Sequence, residues 1–112
     1  VIRKDRKFYV SLAVHELVLR ELQRDPERVR RLGMKAAAEL WPKVGGLSKQ
    51  LVAEWYRSLE RRDWNRVRRY LTAEDEISVE MRNLAPFTGV VDQDERRKAL
   101  DQVYAEAKYV EA

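Results

Sequence analysis

No cysteine occurs in this chain of 112 residues, and it holds a single histidine. The first absence excludes disulfides, cysteine-type zinc fingers, iron–sulfur clusters and thiol catalysis, and it points to a reducing, cytoplasmic setting. The second leaves His15 with no companion at metal-ligand spacing. Its neighbour Glu16 projects from a different helical face, so His15 reads as a boundary residue with an apolar body and a polar tip. No metal site, no cofactor and no catalytic set is expected. Ser11, Ser48, Ser58 and Ser78 have no base beside them in a nucleophile motif. The four glycines form neither Gly-x-Gly-x-x-Gly nor a Walker loop, because Gly45-Gly46 lacks the Lys-Ser/Thr that should follow. Glu74-Asp75-Glu76 lacks the glycine and the ligand spacing of a calcium loop. No apolar run approaches the length of a membrane span. The basic lead-in Ile2–Lys7 faintly resembles the start of a signal peptide. However, His15 and Glu16 interrupt the apolar patch behind it, and no small-residue cleavage site follows.

What the chain does have is charge and large apolar side chains. Charged residues make up 38% and hydrophobic residues 45%, with three Trp, five Tyr and two Phe. That is the composition of one small helical domain, burying about two thirds of its unfolded surface. Residues 1–72 hold 18 Lys or Arg against 9 Asp or Glu, whereas residues 73–112 hold 5 against 10. Two readings stay open: the basic body and acidic end neutralise each other, or one of them faces an oppositely charged partner.

Apolar residues recur at spacings of three and four, and no useful stretch alternates as a strand would. The expected fold is all-α: a single compact bundle of about six short to medium helices spanning residues 1–112. The first runs from Arg6 to Gln23, with Phe8, Val10, Val14, Leu17, Val18 and Leu22 inward. Asp25 caps the second, with Pro26 at its first position and Pro42 stopping it. Its stripe is Val29, Leu32, Ala36 and Leu40, while Gly33 and Ala37 offer a close approach. Ser48 is expected to cap the third helix, with Leu51, Val52, Trp55 and Leu59 inward. Asp63 caps a short fourth carrying Trp64, Val67 and Leu71. Thr72 is expected to cap the fifth, with Ile77, Met81 and Leu84 inward and Pro86 ending it. Asp92 and Glu95 are spaced as a capping box for the sixth, whose face is Leu100, Val103, Tyr104, Ala107 and Val110. Trp55 and Trp64 read as core, and Trp41, beside Pro42, as a partly exposed anchor.

Arg61, Arg62, Arg66, Arg68 and Arg69 place five guanidinium groups within nine residues. On a helix beginning after Asp63, Arg62, Arg66 and Arg69 form an outward row with Arg68 beside it, and Arg28, Arg30 and Arg31 form a second cluster. Such rows suit phosphate contact. They equally suit a solvated face paired with Glu60, Asp63 and the acidic fifth helix.

Several segments together carry a resemblance. Asp25-Pro26-Glu27-Arg28-Val29 opens the second helix, Ala53-Glu54-Trp55-Tyr56 and Arg57-Ser58-Leu59 follow the glycine turn, and Trp64-Asn65-Arg66-Val67 precedes Tyr70-Leu71. Met81-Arg82-Asn83-Leu84-Ala85-Pro86-Phe87-Thr88-Gly89-Val90-Val91 then leads to Glu95-Arg96-Arg97. Residues 25–105 thereby resemble small helical bacterial proteins with the signature Arg-Gln-Ser-Ser-Pro-Phe-Ala-Gly-Val-Leu. These are encoded beside nucleotidyltransferase-like proteins and regarded as the antitoxins of toxin–antitoxin pairs. Arg82, Pro86-Phe87 and Gly89-Val90 match that signature, whereas Asn83-Leu84-Ala85, Thr88 and Val91 depart from it.

The resemblance implies a non-catalytic protein that binds a nucleotidyltransferase-like toxin and occupies its active-site region. Residues 86–112 are then the expected partner-binding segment, drawing on Arg82, Pro86, Phe87, Val90, Asp92, Asp94 and Glu95. Phe87 and Val90 would be apolar anchors, and the three acids would face basic toxin groups. Phe87 has a second reading, as an internal plug between the fifth and sixth helices. The competing function is a small nucleic-acid-binding regulator using Arg62, Arg66, Arg68 and Arg69. A third is a helical adaptor or homodimer that buries its apolar stripes against itself.

Overall fold

Asp5 starts the helical body. Its carboxylate accepts the N–H of Phe8 at 3.0 Å, satisfying a donor that the first turn leaves without a partner. In the computed structural model, which describes residues 2–106, α1 (Arg6–Arg24) follows that cap. Asp25 then ends one helix and begins the next. Its N–H donates to the Glu21 carbonyl, and its carboxylate accepts the N–H of Arg28. With Pro26 supplying a helical φ at the first position, α2 (Pro26–Leu40) begins without a linker.

Trp41–Lys43 tighten into a 3-10 turn, and α3 (Leu47–Glu60) follows. The cap expected at Ser48 is corrected: α3 begins at Leu47, and its N-cap is Gly46 at φ 57°. The positive φ that turns the chain here needs glycine, so the helix is set by backbone conformation and not by a serine hydroxyl. Asp63 caps α4 (Trp64–Thr72) as expected, accepting the Arg66 N–H. Thr72 is not the next cap. Its hydroxyl donates back to the Arg68 carbonyl, closing α4, and Asp75 caps α5 (Glu76–Asn83) instead. The buried residues of α5 are Ser78, Met81 and Arg82. Ile77, expected inside, is 57% exposed. Finally, the carboxylate of Asp92 accepts the Glu95 N–H, and α6 (Gln93–Glu106) follows.

The described residues form six α-helices, an all-α bundle. The first helix touches α2, α4, α5 and α6, while α2 lies against α3. Leu17, Val18, Leu22, Val29, Trp55, Leu59, Val67, Leu71 and Met81 fill the space between them. Burying each such side chain contributes about 1.5–3 kcal/mol. In α2 the buried stripe is Val29, Gly33 and Ala37, with Leu32, Ala36 and Leu40 half-buried at its edge. Trp64 is half-buried and Trp41 is 46% exposed. On α6 only Val103 is buried, and Tyr104 faces outward. Ala107 and Val110, expected on that face, lie outside the described residues. No described helix is long and apolar enough to cross a membrane.

Candidate functional site

Pro86 directs the chain off α5 and back across the bundle, which decides the fate of the signature residues. Phe87 does not plug the gap between α5 and α6. Its ring stands edge-on to Trp55, with centroids 5.0 Å apart, and reaches α2 opposite Gly33. Trp55 is held in turn by its indole N–H, which donates to the Met81 carbonyl at 2.7 Å, and by edge contact with Tyr70. The loop closes as a turn in which the Val90 N–H donates to the Phe87 carbonyl. Arg28 donates to the Val90 carbonyl from 62 positions away, clipping the turn to α2. The sequence showed Arg28 in a basic cluster and in the segment that opens the second helix, but not its contact with Val90, because the loop's path determines what it meets.

The sequence-derived site therefore separates into two parts. Pro86, Phe87 and Val90 are buried, Phe87 to 3% exposure, so they stabilise this chain and cannot serve as surface anchors. That corrects the expected contact role for Phe87 and Val90. Arg82 is equally internal at 4% exposure, with one guanidinium nitrogen donating to the Tyr70 carbonyl at 2.9 Å. Burial pushes its pKa down and the charges of Asp75 and Glu74 push it back up. A guanidinium stays protonated under both influences. Asp92, Asp94 and Glu95, by contrast, are exposed at the first turn of α6. Asp92 is occupied as a cap, whereas Asp94 and Glu95 make no ion pair among the described residues.

The arginine row is tethered. Arg62 lies before α4, not on it, at φ 53°, and it donates to the Glu27 carboxylate through both Nε and Nη2. This pairing holds Glu27 below the usual carboxylate range and raises Arg62. Arg66 reaches Glu54 at 3.1 Å and Asp63 at 3.5 Å, Arg68 donates to the Asn65 side chain, and Arg69 pairs with Asp75. In the second cluster, Arg30 donates to the carbonyls of Leu59 and Glu60 and so satisfies the end of α3. Asp63 and the acidic start of α5 were foreseeable partners. Glu27 and Glu54 were not, since neither is near the row in sequence. Lys4–Glu74 at 2.8 Å and Arg69–Asp75 tie the basic body to the acidic end.

Among the described residues no group of acidic or histidine side chains could hold a metal ion. The chain matches no family model, no curated protein and no solved structure.

Proposed function

We propose that this chain is the antitoxin of a bacterial toxin–antitoxin pair, a non-catalytic cytoplasmic protein that binds a nucleotidyltransferase-like toxin and covers its active-site region. The observation that carries the reading is the acidic start of α6. Asp94 and Glu95 stand exposed, without an ion pair among the described residues, on a helix that rests on α1 alone among the described helices. A partner that handles RNA presents a basic cleft, and an acidic helix end complements it. The signature loop has a supporting role in this reading: with Phe87 in the core and Val90 clipped by Arg28, it fixes where α6 begins. Binding through Arg62, Arg66, Arg68 and Arg69 would require exchanging their present side-chain partners for phosphates, so the nucleic-acid reading is secondary.

Co-expression with tagged nucleotidyltransferase-like proteins and pull-down of the complex test the proposal. Reversing Asp94 and Glu95 to Lys is expected to slow association about tenfold at low salt, with only the small fall in melting temperature that two cations at a helix N-terminus cause. Failure to capture any such protein, or an unaltered on-rate in the reversed variant, overturns it.

A further inference from the structure

A surface cavity of about 280 Å³ lies between the first half of α1, the end of α5, the Pro-Phe loop and the start of α6. Val10, Val14, Phe87 and Val91 give it apolar walls, and Lys7, Arg82 and Arg96 give it charge. No carboxylate among the described residues lines it, in a chain carrying 19 acidic residues. Lys7 and Arg96 are exposed and make no ion pair among the described residues, unlike the tethered arginines of α4. Arg82 adds a buried positive charge to the cavity wall. One nitrogen is given to the Tyr70 carbonyl, while Nη2 is buried without a hydrogen-bond partner among the described residues. A buried donor left unmade is costly, and a buried cation more so. Asp75 and Glu74 are close enough to act on Arg82 electrostatically, yet neither lines the cavity. His15 adds a ring and no charge: Nδ1 is 2.6 Å from the Ser11 carbonyl, and burial keeps the imidazole neutral at pH 7.

We propose that this cavity binds a small organic acid, its apolar body between α1 and the Pro-Phe loop and its carboxylate between the exposed Lys7 and Arg96, with the buried Arg82 charge behind them. The volume sits near the lower end for small-molecule sites, about 300 Å³, which suits a single ring or short alkyl chain. The mostly apolar walls disfavour a bare inorganic anion, which offers them nothing to bury. The site stands independently of the antitoxin reading, because its ligand touches neither Asp94 nor Glu95.

Titrating the whole chain with sodium benzoate tests this, read by amide resonances and melting temperature. Saturable shifts at Val14, Arg82 and Val91 are expected, with a rise in melting temperature as the ligand binds the folded state. Benzamide and inorganic phosphate at matched ionic strength should leave those resonances in place. Lys7→Glu with Arg96→Glu should weaken benzoate binding about tenfold. Arg31→Glu with Lys35→Glu, on α2 outside the cavity, should not. An absent or non-saturable response to benzoate, an equal response to benzamide or phosphate, or undiminished binding in the Lys7/Arg96 variant overturns the proposal.

Discussion

Gly33 and Phe87 fit together because one has no side chain. A Cβ at position 33 would lie 2.9 Å from Phe87 Cε1 and 2.7 Å from Leu59 Cδ1, closer than carbon atoms approach. Both neighbours are buried and have little room to retreat. In an open helix Gly33→Ala would gain about 1 kcal/mol in propensity. Here overpacking of about 1–3 kcal/mol opposes that gain. The expected outcome is a variant less stable by about 1 kcal/mol, measured by urea unfolding.

Phe87→Ala follows from the same contact. Emptying this position should cost about 3–5 kcal/mol, read as a large fall in melting temperature. A variant that lost partner binding while melting normally would return Phe87 to the surface role this packing denies it.

Arg62 occupies a left-handed position that usually holds glycine. Its N–H donates to the Leu59 carbonyl and the Asp63 N–H to the Ser58 carbonyl, the two bonds of a Schellman motif closing α3. A non-glycine residue held there stores about 1–3 kcal/mol of strain. Arg62→Gly relieves it, and the surface pair it gives up is screened by solvent. Thermal denaturation should show a melting temperature equal to or above that of the parent.

His15 makes stability depend on pH. Burial, and secondarily the nearby Arg82 charge, lowers its pKa to about 4, against 6.5 for the free side chain. Below 6.5 the unfolded chain takes up a proton that the folded chain refuses, so stability falls as pH drops from 6.5 towards 4. The full difference is on the order of 3 kcal/mol. Between pH 6.5 and 5 this is the single histidine's own effect, so His15→Gln should flatten the unfolding free energy across that window.

Trp55 is fully buried, and Trp41 is nearly half exposed. Acrylamide should therefore quench Trp41 fluorescence readily and leave Trp55 dark to the quencher. Trp55→Phe should cost about 2 kcal/mol through lost volume and the lost bond to Met81. The Met81 carbonyl keeps one partner, the Leu84 N–H.

The sequence by itself determined the helices and those joints whose chemistry is local. Asp25 with Pro26, and Asp63 before Trp64, act over three residues, so their caps are readable without a fold. Where two nearby side chains could do the same task, local reading chose wrongly. Thr72 and Asp75 can each cap a helix, and the course of the chain after α4 assigned the task to Asp75. Only the tertiary structure decided the long-range relations. It buried Phe87 against Trp55 and Gly33, gave Arg28 to Val90, and set Arg62 opposite Glu27 and Arg66 opposite Glu54. It also gathered Lys7, Arg82 and Arg96, from three separate elements, around one cavity. The physical reason is that capping depends on backbone donors a few bonds away. Burial and ion pairing depend on which distant surfaces the folded chain brings within a few ångströms.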